Sequence, residues 1–445
     1  MISLIVALTL INFTCFQDSR AYPRSDLSLS VSLPSIEKPN RIRQSLPSTL
    51  DSDSVYFPFG RSNYEKALDV ASHDPAIPLP KVKKKKKKPK PGLTGSRNQV
   101  SDDTRAKQKK AKRVKSEGAL KDVNPVNKDE CKRIFMEKID SNSGNSPNNP
   151  QFVYAKQSKA VMALQKYSDP STKYLKQAQR VLDLVIGKYG SESNYHQVVF
   201  GNVMSKEEVC RFIEDYLQSN DLSGVIQLQF SEHFIAPTSM SGNRMNIALP
   251  CRYRTNSIRG VCDHEIGTHF FRRINDHKQP WYKHRKDFGL QPFTTTEEGL
   301  ACLNQLLHYR EPYLYQAALH YYCCVRAASL SFADLYRELE TYIDDPDRRW
   351  RQCLRVKRGM GDTGVPGTFS KDQAYFEGAL NLLKQRRTLD FRLLYVGKLS
   401  LEDLDTVGLN YGIFSDLRLP QFLNDVDDYF ARLDRIATIN GLHDL

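Results

Sequence analysis

The sequence predicts an α+β domain in which a small sheet packs on a mainly helical body, preceded by a basic N-terminal region. Three observations carry this prediction. Residues 17–130 are crowded with Ser, Pro, Lys, Asp and Asn and lack sustained apolar periodicity, so they cannot bury enough surface to fold alone. Residues 224–250 alternate apolar and polar side chains in short runs, as strands do, and most of the later chain follows helical periodicity.

The N-terminal region, residues 1–128, is predicted to be disordered and to carry the charge of the protein. Between Lys81 and Lys115 there are sixteen Lys or Arg against two Asp, a net +14, which equals the charge of the whole chain and leaves the remainder neutral. Such an arm is typical of a tether for an acidic polymer, whether nucleic acid, an anionic membrane or an acidic protein tail. The alternatives are a solvated linker and a nuclear-import signal.

Cysteine usage and the N-terminus give opposite indications about the compartment. Nine cysteines, an odd number that includes the adjacent pair Cys323 and Cys324, are typical of a reducing compartment. The apolar run from Ile2 to Phe16 has the length of a signal-peptide core but lacks a basic start. We expect a cytoplasmic protein, with secretion as the alternative, and no other segment is long and apolar enough to span a bilayer.

The folded domain is predicted to span residues 129–445 and to begin with a helix. Asp129 and Glu130 lie in its first turn, where the helix dipole favours carboxylates, and the run Ser141 to Pro150 ends it. The remaining elements are predicted in order as follows: helices at 173–189 and 205–217, strands at 225–230 and 246–250, and helices at 259–274, 296–308, 312–329, 332–342, 371–386 and 421–438. The Gly-rich stretch 359–367 is predicted to be a loop, and Pro250 restricts the second strand to an edge or an end of the sheet.

The segment His264-Glu265-Ile266-Gly267-Thr268-His269 carries the chemistry. In the zincin metallopeptidases two His at i and i+4 bind zinc, and the Glu after the first His is the general base. Here the histidines are five residues apart, so a regular α-helix would rotate them roughly 140° from each other. A π-bulge would bring them together, and Gly267 is where the chain deforms most easily. The sequence therefore predicts a distorted HExxxH helix.

A third ligand is expected on a second helix about thirty residues later. In zincins with a glutamate ligand this residue commonly stands directly before Gly, which is the place of Glu298 here, with Glu297 as the alternative or as a supporting residue. His277 and His284 are the competing histidines, and His277 is too far from His269 for the metzincin spacing. The opposing interpretation is that the two motif histidines are unrelated helix residues.

Three separated stretches resemble one known family. The segments HEIGTHFFRRIND, TTTEEGLA and RVKRGMGDTGVPGTFSKDQAYFEGAL are similar to those of the microtubule-associated tyrosine carboxypeptidases, over about residues 129–445. The resemblance implies an atypical zincin that removes the C-terminal tyrosine from α-tubulin. It implies one Zn²⁺ held by His264, His269 and Glu298, with Glu265 as base, and an N-terminal region that reaches microtubules.

A carboxypeptidase must also grip a free C-terminal carboxylate, which calls for Arg or Lys near the site. The candidates are Arg272, Arg273, Lys357 and Arg358, and Tyr375 is a candidate wall of the pocket for the tyrosine side chain. Two rival functions stay open at this point. One is a non-catalytic scaffold that binds microtubules or nucleic acid through the basic arm, and the other is a secreted metallopeptidase of different specificity.

Overall fold

The structure is a computed structural model that describes residues 124–140, 148–155, 158–232, 234 and 236–443. It confirms a mainly helical α+β domain with one three-stranded sheet. The predicted disordered region falls outside the described residues except for 124–128, as does the arm from Lys81 to Lys115. None of the helices in the described part of the chain is long and apolar enough to cross a membrane.

The α-helices are numbered in chain order: α1 Lys128–Asp140, α2 Lys159–Lys166, α3 Leu175–Tyr189, α4 Glu192–Phe200, α5 Lys206–Ser219, α6 Ile258–His264, α7 Phe271–Asp276, α8 Thr294–Leu306, α9 Tyr315–Ala327, α10 Phe332–Glu338, α11 Pro346–Val356, α12 Gln373–Lys384, α13 Leu409–Tyr411 and α14 Val426–Ile439. Two π-helical segments cover Glu265–Phe270 and Leu404–Gly408. Short 3-10 turns lie at Arg285–Phe288, Leu339–Thr341, Ser370–Asp372, Phe391–Tyr395, Leu401–Asp403 and Gln421–Leu423.

Local sequence signals set several helix ends. Ser205 and Glu208 form a capping box at the start of α5, each side chain accepting from the other residue's main-chain amide. Gly190 ends α3 with a φ of 79°, a conformation that Gly adopts without steric cost. Helices α2, α4, α11 and the three-residue α13 were not predicted. Helix α11 is rich in Arg, so its narrow apolar stripe of Trp350, Cys353 and Val356 is hard to recognise in sequence.

The sheet consists of β1 Gln227–Ser231, β2 Thr238–Ser241 and β3 Arg244–Ala248, in the order β1-β3-β2. Strand β3 pairs parallel to β1 and antiparallel to β2. Strand β3 is central, so of the two positions that Pro250 allows, an edge or an end, the structure has the second: Pro250 follows the end of β3. Strand β2 was missed because its four residues, Thr-Ser-Met-Ser, show little apolar alternation.

Helices α8 and α12 approach each other closely because both carry Gly at the crossing point. A Cβ added to Gly378 would lie 1.9 Å from the Thr295 carbonyl oxygen, and one added to Gly299 would lie 2.1 Å from the main chain of Gly378. Only Gly fits such an approach. Helix α8 carries Glu297 and Glu298, so this crossing holds the helix that bears both carboxylates tightly against α12.

Candidate metal centre

The motif helix consists of α6, a π-helical segment at Glu265–Phe270, and α7. The amide of Phe271 donates to the carbonyl of Ile266, five residues earlier, which is the hydrogen bond of a π-turn. The distortion thus lies where the five-residue histidine spacing predicts it. It brings the His264 and His269 rings to a centroid separation of 5.0 Å.

Gly267 sits inside this π-segment against two aromatic side chains. A Cβ at residue 267 would lie 2.7 Å from Cε1 of Phe422 and 3.1 Å from the hydroxyl of Tyr216. The first distance is shorter than packed carbon atoms tolerate. Gly267 is therefore required by packing as well as by the ease of deformation that the sequence suggested.

A π-turn leaves carbonyls without their usual helical donors, and buried hydroxyls serve them here. Thr268 Oγ1 donates to the carbonyl of Asp263 at 2.9 Å, and the Tyr395 hydroxyl donates to the carbonyl of Gly267 at 2.9 Å. Asn304 Nδ2 donates to Thr268 Oγ1 at 2.8 Å and to the Tyr395 oxygen at 3.0 Å. Sequence reasoning missed Asn304 and Tyr395, because no local motif marks residues that meet only in the folded chain.

His264, His269 and Glu298 converge on one point. Each offers a ligand atom, and these atoms lie within 4.8 Å of one another. Nε2 of His269 lies 3.7 Å from Oε2 of Glu298, close to the ~3.3 Å that two ligands of a tetrahedral zinc ion would show at bond lengths near 2 Å. Nδ1 of His264 is buried and has no hydrogen-bond partner in the described structure. Two imidazoles and one carboxylate are a donor set that suits zinc.

The pKa values of the two motif histidines are shifted in opposite directions. Burial, helped by the neighbouring His269, lowers the pKa of His264 to about 3, so its imidazole is neutral at pH 7, the state that binds metals. Burial also disfavours the charged form of His269. The nearby carboxylates of Glu297, Glu298 and Glu265 outweigh burial and raise its pKa.

Glu297 contacts His269 at Nδ1, the ring nitrogen that does not face Glu298. Its Oε1 lies 2.8 Å from Nδ1 of His269 and 2.7 Å from Nζ of Lys398, and its Oε2 lies 2.5 Å from Nη1 of Arg272. Burial opposes the charge on Glu297, but Arg272, His269 and Lys398 hold the pKa of this carboxyl well below its usual range. Both oxygens of Glu297 are occupied, and Glu298 is the carboxylate that faces the histidines.

Glu265 lies beside this group of three. The main-chain amide of Met240, in strand β2, donates to its carboxylate, and burial raises the pKa of Glu265 despite the attraction of His269. Strand β2 is an outer strand of the sheet. The sheet is thus joined to the motif helix at the residue predicted to be the base.

Three of the four predicted carboxylate-binding cations are held by the protein itself. Arg272 is fully buried, and besides Glu297 it donates to the carbonyls of Leu394 and Leu399. Arg273 donates to the turn between β2 and β3. Nζ of Lys357 is buried and donates to four main-chain carbonyls, at distances from 2.6 to 3.2 Å: those of Ala327, Leu330, Val365 and Gly367. These contacts give the three residues structural roles.

Arg358 differs from the other three cations. Its guanidinium lies over the ring of Phe369, 5.5 Å from the centroid, and among the described residues it has no hydrogen bond or ion pair to a carboxylate. Burial lowers its pKa, and the charge of Asp372 acts in the opposite direction. Burial raises the pKa of the Tyr375 hydroxyl, and the charge of Glu298 adds to this effect, so Tyr375 is near the candidate metal group; it also acts on the pKa of Arg358.

The two competing histidines lie elsewhere. The ring of His277 packs on Tyr282 with centroids 4.4 Å apart, and Nδ1 of His284 lies 3.3 Å from Oδ2 of Asp287. In the part of the chain that the structure describes, neither belongs to a group able to hold a metal.

Comparisons with known proteins assign the chain to one family. A sequence model of the family described as "Microtubule-associated tyrosine carboxypeptidase" matches residues 149–441. The chain belongs to this family. It is 35% identical over 334 residues to Microtubule-associated tyrosine carboxypeptidase 1 of Rattus norvegicus, covering 74% of this chain and 70% of the relative. It is 36% identical to the Homo sapiens protein of that name, covering 66% and 63%. Relatives named as tyrosine carboxypeptidases of microtubules indicate a peptidase.

Proposed function

We propose that this protein is a zinc-dependent carboxypeptidase that removes the C-terminal tyrosine from α-tubulin tails. The observation that supports the proposal most strongly is the π-segment that brings His264 and His269 together with Glu298 opposite. Membership of the family, whose relatives are named for microtubules and tyrosine, supports the substrate. The proposed location is the cytoplasmic microtubule cytoskeleton.

His264, His269 and Glu298 would hold the zinc ion. When bound, zinc would supply Lewis-acid activation of a water molecule and of the scissile carbonyl. The donor set, two imidazoles and one carboxylate whose ligand atoms lie within 4.8 Å of one another, fits the ion. Glu297 would fix the ring of His269 through Nδ1 and leave Nε2 for the metal, as carboxylates commonly do behind metal-binding histidines.

Glu265 would be the general base. Its carboxylate is placed by the Met240 amide and has a raised pKa, which suits a group that takes a proton from the attacking water and delivers it to the amine of the departing tyrosine. Replacing Glu265 with Gln removes the proton acceptor and keeps the shape.

Arg358 is the cation best placed to bind the terminal carboxylate. It is the one predicted candidate that no carboxylate or carbonyl of the described chain engages, and an unpaired, largely buried guanidinium favours an incoming carboxylate. Tyr375 would form a wall of the pocket for the tyrosine ring. The extended tail would lie along β2, the outer strand that contacts Glu265, since exposed strand edges bind extended peptides.

The basic arm from Lys81 to Lys115 would add affinity for acidic tubulin tails. Its net +14 charge is complementary to a polyanion, and such binding weakens as salt rises. We propose that the arm concentrates the enzyme on microtubules, while specificity for tyrosine resides in the catalytic domain.

A peptide series tests the substrate proposal. Wild-type protein should release tyrosine from an α-tubulin tail peptide with a free C-terminus, and should leave the same peptide with a C-terminal amide uncut, because the amide cannot pair with a guanidinium. Arg358→Gln should raise KM for the free peptide about tenfold or more, the loss of a charge-assisted hydrogen bond, with a smaller change in kcat.

Arg273→Gln is the matched control, because Arg273 is a nearby cation that binds the β2–β3 turn. Its KM should stay within about twofold of wild type, the change expected from an exposed polar contact. Equal cleavage of the amidated peptide would contradict the carboxypeptidase assignment. Absence of stoichiometric zinc, together with microtubule binding, would favour the non-catalytic scaffold.

A further inference from the structure

Residues 149–154, which we call the crossing segment, run along the Gly-rich loop that follows α11. The amide of Phe152 donates to the carbonyl of Gly361 at 2.7 Å, and Thr363 Oγ1 donates to the carbonyl of Pro150 at 2.7 Å. These contacts join the start of the folded domain to a loop that lies far along the chain. The reaction proposed above uses no residue of the crossing segment.

Tyr154, the last residue of the crossing segment, contacts the main chain next to Arg358. Its hydroxyl accepts from the amide of Gly359 at 2.9 Å, and Gly359 directly follows Arg358 in the sequence. Gly359 has a φ of 87°, and a Cβ there would lie 2.6 Å from the carbonyl oxygen of Ala160, so this position needs Gly. The peptide that links Arg358 to Gly359 is therefore fixed by both the Tyr154 hydroxyl and close packing.

The electrostatics place Tyr154 beside the cation as well. Burial raises the pKa of the Tyr154 hydroxyl, and the positive charge of Arg358 acts in the opposite direction. The hydroxyl is thus neutral at pH 7, and it serves as a hydrogen-bond acceptor without cancelling the charge of the guanidinium.

Phe369 supports the other end of the Arg358 side chain. The guanidinium lies over the ring of Phe369, 5.5 Å from the centroid. Phe369 is itself buried, and it meets the ring of Tyr167 edge-on with centroids 5.4 Å apart. Such a cation–π contact favours one position of a flexible side chain. Arg358 is held by Tyr154 at its main chain and by Phe369 at its guanidinium, and it makes no hydrogen bond to a carboxylate or carbonyl of the described residues.

A guanidinium that the fold has already fixed binds a carboxylate more tightly than a mobile one. A mobile Arg side chain loses rotamer freedom when a ligand immobilises it, and a side chain fixed in advance avoids much of that loss. Without the Tyr154 hydroxyl, the amide of Gly359 would lose its acceptor and the turn after Arg358 could shift. The substrate would then have to order Arg358 itself.

We propose that Tyr154 positions Arg358 to bind the terminal carboxylate of the substrate. This proposal rests on the proposed function, in which Arg358 binds that carboxylate. Tyr154 acts through Arg358 and takes no part in the proton transfers of Glu265, so its hydroxyl affects substrate binding and not turnover. Selection of a free C-terminus then depends on a segment well before the HEIGTH motif in the sequence.

The test measures binding of two tail peptides to the full-length, zinc-loaded Glu265→Gln protein, which should not cleave them. Both peptides carry the α-tubulin tail sequence and an N-terminal fluorophore, one ends in a carboxylate and the other in an amide, and fluorescence anisotropy gives each Kd. The acid should bind at least about tenfold more tightly than the amide. Adding Tyr154→Phe, which keeps the ring, should weaken acid binding about three- to fivefold and change amide binding less than about twofold.

Two further variants separate positioning from general damage to the fold. In an Arg358→Gln background, Tyr154→Phe should change the Kd of the acid less than about twofold, because no cation is left to position. Tyr342→Phe is the matched control. The Tyr342 hydroxyl donates to Oδ1 of Asp183 at 2.9 Å, so this variant also loses a hydrogen bond of a buried Tyr. It should leave the acid-to-amide ratio within about twofold of that of Glu265→Gln alone.

Steady-state kinetics in the otherwise native protein give a second measurement. Tyr154→Phe should raise KM for the free acid about three- to fivefold with kcat within about twofold of wild type. An acid-to-amide ratio that Tyr154→Phe leaves unchanged would overturn the positioning role and leave the carboxylate site standing. So would an equal effect with and without Arg358, or an equal loss in Tyr342→Phe. A ratio near one in Glu265→Gln alone would refute selection of a free C-terminus, and both proposals would then fail.

Discussion

Replacing Gly267 with Ala tests whether the π-segment depends on close packing at its centre. The added Cβ would lie 2.7 Å from Cε1 of Phe422 and 3.1 Å from the Tyr216 hydroxyl. Such overpacking costs about 1–3 kcal/mol, and Ala recovers about 0.5–1 kcal/mol through its lower backbone entropy. We therefore expect Gly267→Ala to lower the free energy of unfolding by about 1–2 kcal/mol, as measured by urea denaturation.

Gly187→Ala is the matched control, because Gly187 lies inside helix α3 and a Cβ there would meet no atom within 4 Å. That variant should be more stable than wild type by up to ~1 kcal/mol. A further variant identifies the contact: in a Phe422→Leu background, which shortens the opposing ring, the cost of Gly267→Ala should fall below about 0.5 kcal/mol. Equal stabilities for Gly267→Ala and Gly187→Ala would refute the packing argument.

Three further predictions concern the support of the site and the buried histidines. Glu297→Gln should weaken zinc binding about 10–100-fold, because His269 loses its orienting carboxylate, and competition with a chelator measures this. Asn304→Leu should destabilise the fold by about 3 kcal/mol or more, because the hydroxyls of Thr268 and Tyr395 lose their buried donor, as urea denaturation would show. Burial lowers the pKa of His320 to about 3, below its unfolded value near 6.5, so the unfolded state binds the proton first and stability falls as pH drops below 6.5. Comparison with His320→Gln between pH 6.5 and 5.5 should show about 1 kcal/mol less loss in the variant.

The candidate metal ligands could be predicted from the sequence, but the residues that surround and support them could not. The spacing of His264 and His269 predicted a local distortion, because rotation per residue is fixed by helix geometry and the mismatch can be calculated. Glu298 stood out through its position before Gly299. These inferences needed only local spacing, and the structure has the π-turn where the spacing requires it.

Features that depend on distant residues could not be predicted in this way. The position of β3 at the centre of the sheet depends on β2, a four-residue strand with little periodic signal. The four candidate cations looked equivalent in sequence. Only the folded chain shows that Lys357 is held by four carbonyls, and that Arg358 lies over an aromatic ring without a hydrogen bond to a carboxylate or carbonyl of the described residues.

The most direct test of the proposed function is intact-mass spectrometry of tubulin after incubation with wild-type protein and with Glu265→Gln. We expect wild type to remove one tyrosine residue from the C-terminus of α-tubulin, and Glu265→Gln to retain stoichiometric zinc while leaving α-tubulin unchanged. If zinc-loaded wild-type protein leaves the mass of α-tubulin unchanged, the proposal that α-tubulin is the substrate is contradicted. Removal of tyrosine by Glu265→Gln at the wild-type rate would contradict the role of Glu265 as the base.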